Sequence, residues 1–155
     1  MPIVEPADLP DRLGPRQRLL GLDLGTKTIG LAISDPGLVV ASPLETIRRK
    51  KFTADAGALF ALVDEHGVGA LVIGLPRNMD GSEGPRCQST RQFAANLLGK
   101  RDIAIAFWDE RLSTAAVERA MIAEGDVSRA KRAEAVDKLA AGYILQGYLD
   151  SLRRR

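Results

Sequence analysis

Apolar residues come in short runs along this chain, and the spacing inside each run predicts an element. Leu19-Leu20-Gly21-Leu22 and Leu24 form a nearly continuous apolar stretch, and Thr28 to Ser34 repeats the β-prone pattern after Gly25-Thr26-Lys27. Two such runs parted by a short glycine-containing turn predict an antiparallel hairpin. Pro36-Gly37 turns the chain again, and Leu44 to Arg48 predicts a third, short strand with mixed faces. From Thr53 to His66 the apolar positions Leu59, Leu62 and Val63 stand opposite acids, the pattern of a helix packed on a sheet, and Gly67 provides its stop. Ala70-Leu71-Val72-Ile73 predicts a buried fourth strand, followed by the glycine-rich loop Gly74 to Pro85. A second helix is expected from about Ser82, as its cap, to Leu98, and Ile103 to Trp108 predicts a fifth strand. Ser113 is placed to cap a third helix reaching about Glu124, and Gly125 to Arg132 reads as an exposed, mobile loop. The last helix starts near Glu134 and carries Val136, Leu139, Ala140, Tyr143, Ile144, Gly147 and Tyr148 on one stripe, with Asp137 beside it.

The order is therefore β-β-β-α-β-α-β-α-α, an α/β domain in which a hairpin-led meander is extended by helical crossovers into a mixed sheet covered by helices. With 155 residues, 45% hydrophobic and 27% charged, the chain fits one domain with a proper core. Residues 1–17, rich in proline and charge, read as a flexible tail, and 18–155 as the folded domain. A net charge of +2 does not argue for a nucleic-acid partner, so only local clusters can. They occur at Arg48-Arg49-Lys50-Lys51, from Arg129 to Arg132, and from Arg153 to Arg155. The single cysteine, Cys87, excludes an internal disulfide and a cysteine-based zinc site. Neither a leader nor a membrane span is legible, which makes the cytoplasm the expected location. His66, the only histidine, falls in the last turn of a helix and reads as structural, which leaves a Ser-His-Asp mechanism without support.

Against this background Asp23 stands out. It interrupts the most apolar run of the chain at the end of the first strand, and an ionised carboxylate is too costly to bury there without a partner. A bond to the turn backbone is one answer, and a bound cation is the stronger one. Two further acids occupy positions where function gathers in such sheets: Glu110, just beyond the fifth strand, and Asp137, in the first turns of the last helix. Three carboxylates on separate elements converge only if positive charge offsets their repulsion, which Mg²⁺ or Mn²⁺ supplies to oxygen ligands. Such a set fits two-metal phosphodiester hydrolysis and needs no side-chain nucleophile.

Four blocks also carry a family resemblance: Leu22 to Gly30, Gly74-Leu75-Pro76 with Asp80 to Gly84, Asp109 to Thr114, and Asp137-Lys138-Leu139-Ala140-Ala141. In this order they closely resemble the YqgF/RuvX family, over roughly Arg18 to Leu152. The resemblance implies a ribonuclease H-like fold with sheet order 3-2-1-4-5. It further implies a bacterial nuclease acting on the precursor of small-subunit (16S) ribosomal RNA, with Asp23, Glu110 and Asp137 as metal-binding, catalytic acids. Holliday-junction resolvases of the RuvC type carry their middle acid after the fourth strand, where this chain has Gly74-Leu75-Pro76. The resemblance gives that role to Glu110, and Asp109 is the neighbouring alternative, since adjacent residues at a strand end face opposite ways.

In this setting Arg77 in the glycine-rich loop, Lys27 in the first turn, and Arg129, Lys131 and Arg132 near Asp137 are the expected phosphate contacts. Trp108 could stack a base, but an aromatic closing an apolar strand more often packs in the core. The expected substrate is RNA with a single-stranded stretch, with branched or single-stranded DNA as the alternative, and the expected assembly is a monomer or a homodimer. Rival readings are a Holliday-junction endonuclease, a non-catalytic nucleic-acid-binding module, and an actin- or Hsp70-like ATPase. The last closes nucleotide between two such domains, and this chain has length for one.

Overall fold

A near-continuous apolar run demands cover on both faces, and β1 (Arg18–Leu24) has it: every residue after Arg18 is buried. The computed structural model describes residues 3–112 and 129–153, with side chains placed for 3–111 and 138–153. Around β1 stand β2 (Thr28–Ser34), β3 (Ala41–Arg48), α1 (Phe52–His66), β4 (Val68–Leu75), α2 (Pro85–Leu98), β5 (Ala104–Asp109), a 3-10 turn (Glu110–Leu112) and α3 (Arg129–Leu152). The sheet has the order β3-β2-β1-β4-β5 that the resemblance implied. β1 and β2 pair antiparallel, as do β2 and β3, whereas β1, β4 and β5 run parallel.

Strand alternation divides the core into two layers. Leu20, Leu22 and Leu24 pack with Leu59, Phe93 and Leu97 of α1 and α2. Leu19 packs on the other face with Leu145, Tyr148 and Leu149 of α3. Gly21 shares that second face, where a Cβ would lie 2.8 Å from Leu145 Cβ and 3.3 Å from the Ala141 carbonyl. A missing side chain thus lets α3 rest on the backbone of β1. Leu19, the earlier strand residue, meets the later helix residues, so α3 runs antiparallel to β1 and begins beside the strand's carboxyl end. The pairings of Gly142 with Pro43 and of Gln146 with Ala41 give the same direction from β3.

Several boundaries differ from the sequence reading. β3 begins at Ala41 rather than Leu44, because Ala41, Ser42 and Pro43 pair with β2 at an open edge, where proline is tolerated. α2 begins at Pro85, where a missing N–H costs nothing, and Gly84 rather than Ser82 precedes it. Ser82 instead closes a turn, its hydroxyl donating to Asp80 Oδ1 at 2.6 Å. α3 starts at Arg129, so Arg129 to Arg132 belong to a helix rather than to a loop. The helix expected from Ser113 and positions 125–128 of the expected loop lie outside the described residues. The buried stripe of α3 is Ala140, Ala141, Ile144, Leu145, Tyr148 and Leu149, rotated from the expected one because the groove over Gly21 receives Ala141 and Leu145.

The N-terminal segment, expected as a flexible tail, is docked. Pro6–Arg12 form a 3-10 helix whose Leu9 is fully buried, and the Tyr148 hydroxyl donates to the Pro6 carbonyl at 2.6 Å. Ile3 bridges Ile105 in parallel, and Val4 N–H donates to the Ile105 carbonyl at 2.9 Å. Proline and charge hid the apolar anchors of the segment, buried Leu9 and the partly buried Val4 and Leu13.

The β2–β3 turn hangs on Asp35, whose carboxylate accepts the N–H groups of Val39 and Val40, both at 2.8 Å, and of Gly37 at 3.2 Å. These bonds, led by Val40, hold its pKa below the ordinary carboxylate value. A depressed carboxylate adds stability above its unfolded pKa and loses it as pH falls through the lower folded one. Asp35→Ala should therefore cost about 1 kcal/mol at neutral pH, and the gap to the parent should close in acid. Urea unfolding of both proteins between pH 7 and pH 2 measures this, and a pH-independent gap would refute it.

Candidate active site

β1 delivers Asp23 to the sheet's carboxyl end, where it is 3% exposed. Strand alternation puts it on the face of Gly21, the face covered by α3. β1 and β4 stay in parallel register to Leu22–Ile73, which makes Gly74 the next β4 neighbour of Asp23. Over Gly74 lies Glu110. A Cβ built on Gly74 would sit 2.9 Å from Glu110 Oε1, 3.0 Å from its Cγ and 2.7 Å from Ile144 Cδ1 of α3. The absent side chain thus leaves the space in which Glu110, coming from beyond β5, packs over β4.

Asp109, the alternative acid, is committed elsewhere. It is the last residue of β5, paired with Leu75, and its carboxylate takes Arg111 Nη2 at 2.6 Å, Nε at 3.0 Å and the Arg111 N–H at 3.0 Å. The Arg111 guanidinium holds the Asp109 carboxyl below the ordinary range. Arg111 also donates to the Met79 carbonyl at 3.1 Å, which ties the glycine-rich loop to the turn that carries Glu110. Inside that loop Asn78 N–H bonds the Ser82 carbonyl at 2.9 Å, and Gly81 takes φ +88°, open to glycine.

The other expected contacts are dispersed. Lys27 is exposed in the β1–β2 turn. Arg77 is half-exposed, with Nη2 3.5 Å from Glu83 Oε2, while Arg91 grips the same carboxylate at 2.6 and 2.8 Å. Trp108 packs edge-on against Tyr148 at 5.8 Å, the core role. Asp137 lies on α3 one turn before Ala141, which the antiparallel course of the helix puts at the Asp23 end of β1. The backbone of Arg129, Lys131 and Arg132 is in the first turn of that helix.

Asp23 and Glu110 offer only carboxylate oxygens, the donor type that Mg²⁺ and Mn²⁺ prefer, so the donor chemistry fits such an ion. Among the described residues no three acidic, histidine or cysteine groups gather. Gly74 and Arg111 escaped the site reading of the sequence. The first reads in the sequence as the head of a loop but belongs to β4, where a glycine marks close backbone approach, and nothing in the sequence distinguishes the second from a surface arginine.

The RuvX family model, described as Holliday junction resolvase, matches residues 17–151. The chain belongs to the RuvX family. A relative from Paramagnetospirillum magneticum, named "Putative pre-16S rRNA nuclease", is 64% identical to this RuvX chain over 151 residues, covering 97% of each. One of the same name from Rhodospirillum rubrum is 57% identical over 155 residues, covering 100% of this chain and 96% of its own. In fold, this RuvX chain is similar to Thermus thermophilus RuvC in complex with a Holliday junction, with a TM-score of 0.52 at 10% identity over 87% of this chain and 94% of that one. Fowlpox virus resolvase gives a TM-score of 0.50 at 10% identity over 88% and 99%.

Proposed function

We propose that this RuvX-family protein is a metal-dependent nuclease that hydrolyses phosphodiester bonds in the precursor of 16S ribosomal RNA. The observation that carries the reading is buried Asp23 at the end of β1, with Glu110 packed over Gly74 of the adjoining strand on the same, α3-covered face. Asp23 and Glu110, joined by Asp137, would hold one or two divalent ions, Mg²⁺ or Mn²⁺. When bound, such ions activate water and neutralise charge on the scissile phosphate. Burial of Asp23 keeps its carboxylate fixed and shielded from bulk water, and the Gly74 gap lets Glu110 share the site without displacing α3. Asp109 acts through Arg111, which holds the loop carrying Arg77 over the site. Lys27, Arg77, Arg129, Lys131 and Arg132 supply phosphate contacts that are blind to base identity. The protein acts in the cytoplasm, as a monomer or homodimer, and among the described residues no helix is long and apolar enough to cross a membrane.

Names borne by relatives support precursor rRNA, while the family description and the fold neighbours support branched DNA. We favour RNA because those relatives are 64% and 57% identical to this chain, against 10% for the fold neighbours. The test is purified protein against precursor 16S rRNA, single-stranded DNA and four-way junctions, each with Mg²⁺, Mn²⁺ or chelator. Metal-dependent cleavage of the RNA is expected. Paired symmetric cuts in junctions with the RNA left whole would transfer the reading to a resolvase.

A further inference from the structure

Two clefts meet at the start of α2. One, of about 450 Å³, is lined by Glu110 together with Arg77, Arg111, Pro85 and Arg86. The other, of about 490 Å³, lies between the β1–β2 turn and α2, and its lining includes Arg49, Lys50, Thr26, Ser89 and the same Pro85 and Arg86. The second cleft has three cations and three hydroxyls, those of Thr26, Ser89 and Thr90, on its walls and no acid. Like charges on one wall repel one another, and an anion in the cleft removes that cost.

The cleft is held in shape. Arg49 N–H donates to the Lys27 carbonyl at 2.8 Å, and Arg49 Nη1 to the Gly25 carbonyl at 2.6 Å, which locks the end of β3 to the hairpin turn. Buried Asp55 accepts the Lys50 N–H at 3.0 Å, fixing the next residue. Lys50 and Arg86 have exposed side chains, and among the described residues neither has an acidic partner. Arg86 Nη2 reaches the Leu24 carbonyl at 3.5 Å, and Lys50 lines the same cleft beside Leu24 and Gly25, the residues that follow Asp23.

We propose that this second cleft binds the phosphates of the nucleic-acid strand next to the cleaved bond, with Lys50 and Arg86 as contacts and Arg86 as the link between the cleft and the Glu110 site. The strand then leaves the acidic centre across the start of α2 and passes between the hairpin turn and α2. A phosphate chain suits these walls because it brings repeated single charges that lysine and arginine meet without reading bases. The inference rests on the nuclease reading above and adds the route of the substrate.

The test uses full-length Asp23→Asn protein, so that the strand survives, and measures binding to labelled single-stranded RNA, to DNA of the same sequence and to a four-way junction across a salt series. Lys50→Gln with Arg86→Gln should weaken binding to the preferred strand about tenfold and lower the log–log salt slope by about 1.4, roughly 0.7 for each lost single-strand phosphate contact. Arg86→Lys should restore most of the affinity lost by Arg86→Gln. Lys100→Gln with Arg12→Gln removes the same charge from exposed positions at the far end of α2 and of the sheet, and should leave the slope unchanged. Thermal unfolding of each variant confirms the fold. Parental affinity and slope in the Lys50/Arg86 variant would overturn the cleft while cleavage by the unaltered protein still upheld the nuclease. An equal loss in the Lys100/Arg12 variant would overturn it as well, as a mere net-charge effect. Absence of both binding and cleavage in the parent would overturn both readings.

Discussion

Asp23→Asn and Glu110→Gln are each expected to slow phosphodiester cleavage about a thousandfold, with Asp137→Asn doing the same. Each change keeps shape and removes one ligand charge. Losing charge stabilisation of ~4 kcal/mol at the transition state, the scale assigned to a bound metal ion, corresponds to that factor. The proteins should fold normally. Relief of carboxylate repulsion should leave the unfolding temperature level or raise it when metal is absent. Initial rates under matched metal and pH, beside unfolding curves in chelator, measure both parts. Full activity in any one variant would remove that residue from the catalytic set.

The second large effect is expected from a single methyl group. Gly74→Ala places a carbon 2.9 Å from Glu110 Oε1 and 2.7 Å from Ile144 Cδ1, closer than real contacts allow. Both atoms are tips of side chains that can swing, so the stability cost should stay within about 1–3 kcal/mol. Catalysis should slow by about a hundredfold, because Glu110 must give way by an amount comparable to the misplacements that cost that much in rate. A strong loss of rate with a modest loss of stability is the signature. If Gly74→Ala cleaves like the parent, Glu110 does not depend on the gap, and its placement in the site loses its main support.

Fold class was legible because the strong signals were local. The apolar runs at Leu19 and Ala70 each needed cover on two faces, and the turn at Gly25 joined strands too close in sequence to pair in any other way. What escaped depended on contacts between distant segments. The stripe of α3 is set by the absence of a side chain at Gly21, a hundred and twenty residues away, which no helical periodicity records. Ser82 has the chemistry of a cap, yet Asp80 competes for it and Pro85 starts the helix. Within the site, the choice between Asp109 and Glu110 was open on residue type alone. The structure gives them different surroundings, the Arg111 guanidinium for Asp109 and the gap at Gly74 for Glu110.

The docked N-terminal segment also bears on the solubility of the domain. An open sheet has two borders whose unpaired backbone groups invite further strands from neighbouring molecules. At the β3 border the chain defends itself from within, with Pro43 removing a donor and Glu45 and Arg48 bringing charge. β5 has no proline or lysine and only one acid, at its end. There Ile3 bridges Ile105, and Val4 spends its N–H on the Ile105 carbonyl. Ile3 and Val4 thus act as a guard against sheet extension, and trimming them would uncover the border with the fewest defences of its own.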